Sequence, residues 1–426
     1  MKRNRFVVVL ILFIWFVISF ITNILGPVMP VLIDNFKLSL TLAAFLPFSF
    51  FLAYGVMSIP AGMMIELYGE KRSMLIAFGL TFIGSFLFAL FPVYSMAIIS
   101  LFIIGIGMAM LQVIINPLMR EAGGEEHFAY NSALAQLIFG AASFISPFVF
   151  TYLMLNMNSK GNSNFLIDTL RLITPIELPW SSLYWIFSSI IVVMIIVISL
   201  IRFPKVELKE EERAGAFKSY IELFRKKQVI LYFLGIMAYV GTEQGLANWM
   251  SKFLYTYHGY NPEVEGASAI AWFWGLMSVG CLVGLLILKL IDSKLILKIV
   301  TLLAILTVVI ALTGTAQMAL LAFPVAGFFL SVMYSIIFSL ALNSEEKHHG
   351  AFSGILCSGI FGGALVPLII GWIGDQIGLR YAMFFLFITL GYILAIPFWA
   401  RPLVDNKTIK IKELFANKTL QVSTNK

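Results

Sequence analysis

Glu243 is the acidic residue best placed to do chemistry in this chain. It stands in the stretch Tyr239-Val-Gly-Thr-Glu243-Gln244-Gly-Leu-Ala-Asn248-Trp249, inside an apolar run that begins after Arg225-Lys226-Lys227. A run of that length spans a bilayer as a helix. At 1.5 Å rise per residue the carboxyl lies roughly 24 Å from Lys227 and roughly 14 Å from Lys252 along the same helix. A charge at membrane depth costs at least a few kcal/mol. Glu243 is therefore protonated, paired across helices, or turned towards a water-filled cavity. The plainer reading is a protonated acid bonded to a neighbouring helix. The sharper one is a coupling-ion or substrate site, because a carboxyl in a low dielectric can cycle a proton as its exposure changes, or offer oxygen to sodium.

Other polar residues at membrane depth point the same way. Gln112 and Asn116 are four apart and share one helix face. Gln244 and Asn248 repeat that spacing beside Glu243. Amides in a membrane persist where partners or water meet them. The plainer reading of Gln112 and Asn116 is helix–helix hydrogen bonding, worth under ~1 kcal/mol each. Trp272, Trp274 and Tyr334 can offer flat faces to a sugar ring while amides bind its hydroxyls. Interhelical packing or an interfacial belt accounts equally for the tryptophans. Cys281 and Cys357 both fall in apolar runs and read as buried free thiols. His348-His349 reads as part of a solvated loop, and no metal site is expected. Asp375 is expected to cap or pair near the outer end of its span.

The elements that must position these residues follow from composition. Of 426 residues 60% are hydrophobic and only 12% are charged, so most of this chain has lipid as its solvent. Apolar segments fall at 6–33, 41–64, 73–92, 94–119, 128–156, 180–201, 228–251, 265–288, 295–313, 317–342, 350–373 and 379–400. That predicts an all-α integral membrane protein of twelve transmembrane helices. The first run has no small-residue cleavage site and is read as a retained span.

If the N-terminus is cytoplasmic, only Lys37, Lys160, Arg171, Lys252 and Arg380 of the 29 Lys and Arg face outside. This bias places both termini in the cytoplasm and accounts for the net charge of +7, which otherwise suggests nucleic acid. No nucleic-acid partner is expected.

The charged segment from Phe203 to Lys227 divides the chain into six spans and six. The expected organisation is an N-terminal half over 1–203, a cytoplasmic linker over 204–227, a C-terminal half over 228–401 and a cytoplasmic tail over 402–426. Within the linker, Phe217, Tyr220, Ile221 and Phe224 have helical spacing, which predicts a helix on the inner membrane surface. Within the outside loop over 157–179, the stretch Asn158-Ser-Lys-Gly-Asn-Ser-Asn164 is polar and expected to be mobile. Six plus six also suggests an internal repeat, the plan of many secondary transporters.

Loop 2–3, with Gly62, Glu66, Gly69, Lys71 and Arg72, resembles the signature loop of the major facilitator superfamily. Longer stretches resemble one branch of it, the fucose, galactose and glucose permeases. These include Phe50-Phe-Leu-Ala-Tyr-Gly-Val-Met-Ser-Ile-Pro60-Ala-Gly62, Gly107-Met-Ala-Met-Leu-Gln112-Val-Ile-Ile-Asn116-Pro117, and Gly371-Trp-Ile-Gly-Asp375. The resemblance runs in family order across nearly the whole chain. It implies two six-helix halves that rock about a central cavity, a bacterial inner-membrane location and a monomer among lipids. It implies that Gly62 allows close helix approach and that the loop's charges latch the halves when the outside is open. Leu67 stands where the family has arginine, which leaves that latch weaker or differently wired. Asn23, Gln112, Asn116, Gln136 and Tyr334 match sugar-contacting positions.

The departures narrow the reading. Gly26 and Gln112 replace acids of the fucose–proton symporters, and glutamine at the second position resembles the glucose/galactose side. Cys281 replaces a usual arginine, and Ala133 and Phe139 replace usual asparagines. Each buried hydroxyl left unpaired costs about 1–3 kcal/mol, so a cavity with fewer amides suits a less polar or modified sugar, or another solute. The expectation is a secondary transporter of a hexose-like sugar, without a cofactor, coupled to a proton or sodium through Glu243. An exporter of a drug or lipid is the alternative. A polytopic membrane enzyme would need clustered carboxylates or histidines near one interface or in a sizeable loop, and the large loops, 157–179 and 203–227, lack them.

Overall fold

The computed structural model describes residues 5–124, 128–158, 164–201, 203, 217–345 and 349–403. Among them are twelve helices long and apolar enough to cross a membrane, and no strand. These are α1 (Arg5–Phe36), α2 (Leu40–Tyr68), α3 (Glu70–Leu90), α4 (Tyr94–Gly123), α5 (Phe128–Asn158) and α6 (Ser182–Leu200). The second six are α7 (Lys227–His258), α8 (Ala267–Ile287), α9 (Ser293–Thr313), α10 (Ala316–Leu342), α11 (Phe352–Ile377) and α12 (Leu379–Trp399). Each corresponds to one apolar segment of the sequence, since twenty-odd apolar residues must satisfy their backbone internally as helix.

Two spans are interrupted. α1 turns at Asn23 and Ile24, between helical segments Arg5–Thr22 and Leu25–Phe36. Pro27 lacks the N–H that would bond to the Asn23 carbonyl, and Pro30 does the same to Gly26. α10 turns at Ser331 and Val332, where the Ser331 carbonyl accepts from Cys281 Sγ at 3.3 Å. Irregular backbone at membrane depth is tolerated where protein or a cavity meets it.

The loop over 157–179 follows α5 and leads into α6. It carries a helix over Phe165–Ile173, capped by the Asn164 side chain on Ile167 N. Residues 159–163 lie outside the described set. The linker helix forms over Phe217–Phe224, but its buried residue is Leu223, while Ile221 and Phe224 of the expected apolar face are exposed. Residues 204–216 and the tail from 404 onward, with His348, lie outside the described residues.

Twelve crossings put Arg5 and Trp399 at one end of the bundle, the terminal face; the other end is the far face. Within the first half α4 packs on α2, α3 and α1, and within the second α8 packs on α10 and α7 on α11. Four helix pairs join the halves among the described residues: α2 with α11, α5 with α8, and the second segment of α1 with α7 and, less extensively, with α8. Their contacts concentrate on the far face. There Thr151 Oγ1 donates to the Glu263 carbonyl at 2.6 Å, Lys252 pairs with Asp34 at 3.1 Å, and Asp375 bonds to Leu40 and Thr41. Halfway along, Phe361 lies against Phe48 and Gly55, and Gly140 lies against Ser278. Further towards the terminal face a Cβ on Gly62 would meet nothing within 4 Å. The halves are thus closed on the far face and part towards the terminal face.

The signature loop is arranged accordingly. Gly69 takes a φ of 76°, which ends α2 and starts α3 and which other residues rarely adopt. Lys71 Nζ donates to the carbonyls of Ser199 and Ile201 at 2.7 and 2.8 Å, capping the end of α6 in its own half. Arg72 is exposed, and the Glu66 side chain lies outside the described residues. The expected close approach at Gly62 is absent because the halves diverge there.

Candidate functional site

Glu243 sits half-buried in α7, and both its hydrogen-bond donors come from its own helix. Tyr239, one turn earlier, donates its hydroxyl to Oε2 at 2.7 Å, and Gln244 Nε2 donates to Oε1 at 3.2 Å. The ladder continues, for Asn248 Nδ2 donates to the Gln244 carbonyl at 2.8 Å and to its Oε1 at 3.3 Å. Gln244 and Asn248 are buried, so each amide is held in one orientation. Of the three states open to Glu243, pairing across helices is not the arrangement found among the described residues. Among the described residues two uncharged donors orient the carboxyl, and neither provides a counter-charge.

Aromatic rings lie beside the first residue of this ladder. The Tyr334 ring lies 5.8 Å from Tyr239 and stacks on Phe338 at 5.6 Å, just past the interruption in α10. Trp274 is buried, and its indole N–H has no partner among the described residues. It shares a helix face with Ile270, Met277 and Cys281, at offsets that stack along α8. Cys281 on that face donates to the Ser331 carbonyl, at the interruption that precedes Tyr334. Trp272 does not join them. It is 51% exposed and meets Phe144 edge-on at 5.3 Å, because residues two apart on a helix point roughly 200° apart.

The first half supplies a second polar group. Asn23, buried at the turn in α1, donates to Ser143 Oγ at 2.7 Å, and Ser19 lies 2.6 Å from the same hydroxyl. Gln112 in α4 is half-buried and already engaged in an interaction. The Asn116 side chain lies outside the described residues. Gln136 is exposed, one turn nearer the terminal face than Gly140, which lies against Ser278 of α8.

Gly26 brings the two groups to one level. A Cβ there would fall 2.3 Å from the Ala247 carbonyl, so α1 and α7 touch backbone to backbone. Asn23 and Gln244 each lie three residues below that crossing on helices running in the same direction. Both therefore stand about 4.5 Å towards the terminal face. The amides of Asn23 and Gln244, and Glu243 beside the latter, occupy the level below which the halves separate.

The sequence reading assigns no role to Tyr239, Ser19 or Ser143. Tyr239 was legible from its four-residue spacing to Glu243. The serines had no local signal, since their partners are over a hundred residues away. Among the described residues no group of three His, Cys, Asp or Glu side chains is disposed to hold a metal.

Known proteins share this architecture. The chain is 30% identical over 397 residues to a glucose/galactose transporter of Brucella abortus, covering 92% of this chain and 93% of that one. It is 24% identical over 388 residues to the L-fucose-proton symporter of Escherichia coli, covering 86% and 85%. Among solved structures, the fucose–proton symporter FucP in the outward conformation aligns with a TM-score of 0.65 at 20% identity, over 92% of this chain and 98% of that one. A bacterial homologue of the human lysosomal transporter Spinster, inward-facing and occupied, aligns with a TM-score of 0.76 at 16% identity, over 94% and 97%. Residues 11–356 match the Major Facilitator Superfamily. With twelve spans in two halves, the chain belongs to the major facilitator superfamily of membrane transporters.

Proposed function

We propose that this protein carries a hexose-like sugar across the bacterial inner membrane by alternating access, coupled to a cation through Glu243. The observation that carries this reading is the Tyr239–Glu243–Gln244–Asn248 ladder, at the level where the halves begin to part. A carboxyl held by uncharged donors leaves its charge to be neutralised by an incoming proton or sodium ion. The adjoining amides of Gln244, Asn248 and Asn23, with the indole of Trp274 and the ring of Tyr334, match the demands of a polyhydroxylated ring. The relatives are named as glucose/galactose transporters and fucose–proton symporters, which favours a sugar over export of a drug or lipid.

The Lys and Arg bias assigns the terminal face to the cytoplasm. On that reading the far-closed conformation is inward-facing, and substrate would leave past Gln136 and Gly62. One chain contains both halves of the site, so a monomer in the bilayer suffices.

Uptake of labelled glucose and galactose into proteoliposomes, under a proton gradient or a sodium gradient in separate runs, tests this. Accumulation driven by one ion supports the reading and names the ion. Folded protein that accumulates neither sugar under either gradient overturns the hexose assignment.

A further inference from the structure

We propose that Asp375 is a far-face latch: its carboxylate holds the two halves shut by capping the first turn of α2, and that cap breaks when the far face opens. Asp375 lies near the end of α11 in the second half, while α2 belongs to the first. Oδ1 accepts from Leu40 N at 2.8 Å, and Oδ2 accepts from Thr41 N at 2.9 Å and from Thr41 Oγ1 at 2.5 Å. The first N–H groups of a helix have no intrahelical partner. Here Ser39 Oγ serves Leu42 N at 3.2 Å, the first intrahelical bond runs from Ala43 N to the Ser39 carbonyl, and Asp375 serves the two donors that precede them, Leu40 N and Thr41 N. A capping group supplied by the other half does more than finish a helix. It joins a negative charge to the positive end of the α2 dipole across the boundary that must open.

The surrounding sequence supports a dedicated device. Gly371, Asp375, Gly378 and Arg380 have the same spacing as Gly62, Glu66, Gly69 and Lys71: glycine, three residues, an acid, two residues, glycine, one residue, a base. The backbone agrees at the second glycine, with φ and ψ of 76° and 167° at Gly69 and of 89° and 149° at Gly378. Each ends one span and starts the next, one on the terminal face and the other on the far face. Both basic residues serve their own half. Lys71 binds the end of α6, while the Arg380 guanidinium lies 4.6 Å over the Tyr257 ring and its backbone N–H donates to the Tyr257 hydroxyl at 3.0 Å. In the far-face copy the acid is the group that crosses. The first glycines differ as the conformation requires. A Cβ on Gly371 would lie 2.6 Å from the Leu40 carbonyl, whereas one on Gly62 would meet nothing.

The test reads conformation and needs neither sugar nor ion gradient, so its outcome is independent of the substrate assignment. Spin labels are placed at Val93→Cys and Met318→Cys, exposed far-face positions in opposite halves, with Cys281 and Cys357 replaced by alanine. Distances are measured by electron double resonance in lipid nanodiscs. Asp375→Asn removes the charge and half the acceptor capacity, and is expected to raise the ratio of far-open to far-closed protein about tenfold. Thr41→Val removes one bond and should raise it about threefold, which keeps the proposal testable if Asp375→Asn fails to fold. A far-face distance distribution unchanged from the parent in the folded variants overturns it.

Discussion

The hydroxyl of Tyr239 donates to Oε2 of Glu243 at 2.7 Å, one turn along the same helix. The contact lies within one helix, so movement of the halves need not break it, and the carboxyl can keep its orientation while its access to water changes. A coupling group needs that property, because it must meet both sides of the membrane in turn.

Glu243→Gln keeps the shape and hydrogen-bonding reach of the side chain and abolishes its charge. Gradient-driven accumulation is expected to vanish while substrate exchange across the liposome membrane survives. Counterflow measured beside uptake checks this. Loss of both activities in folded protein makes Glu243 a substrate contact instead.

Tyr239→Phe removes one of the two donors and leaves Gln244 in place. A hydrogen bond to a charged group contributes about 1.5–3 kcal/mol. Accumulation should therefore fall roughly tenfold or more, with exchange retained. Equal activity of Tyr239→Phe and the parent would show that Gln244 alone orients the carboxyl.

Trp272 and Trp274 should separate cleanly. Trp272→Ala is expected to leave the half-saturating sugar concentration within about twofold, as this exposed ring contacts Phe144 rather than the ladder. Trp274→Phe keeps most of the buried ring and deletes the unpartnered N–H, and should raise that concentration about tenfold if the indole meets a sugar hydroxyl. Kinetics of both variants in one membrane preparation decide it.

Gly26→Val should block transport without touching the ladder. Its side chain would run into the Ala247 carbonyl, so α1 and α7 must separate before the far face can close. Overpacking of this kind costs about 1–3 kcal/mol. A lower melting temperature in detergent together with lost uptake is the expected pair of results; wild-type uptake would show that the helices can part without consequence.

Lys71→Ala removes the ammonium that caps the Ser199 and Ile201 carbonyls. The loss is expected to be about 0.5–1 kcal/mol, seen as a small drop in melting temperature. Lys71→Arg should restore most of it.

The sequence by itself determined the twelve spans, their charge bias and the depth of Glu243. Hydrophobicity over twenty residues is a local property, and the fixed helical rise turns position into depth. It also contained the opposition of Trp272 and Trp274, since residues two apart on a helix diverge, and the four-residue step from Tyr239 to Glu243. Only the tertiary structure decided which partners meet. Asp375 finds its partners 334 and 335 residues away, at Thr41 and Leu40, and Asn23 is held by Ser143 across 120. Gly62 stands open although its motif implies close packing, and Gln136 is exposed one turn from the Gly140–Ser278 contact. Those outcomes depend on how each helix is rotated and on which face of the bundle is shut. Both are set by packing between halves that are distant in the chain and free to rock, so no local pattern can encode them.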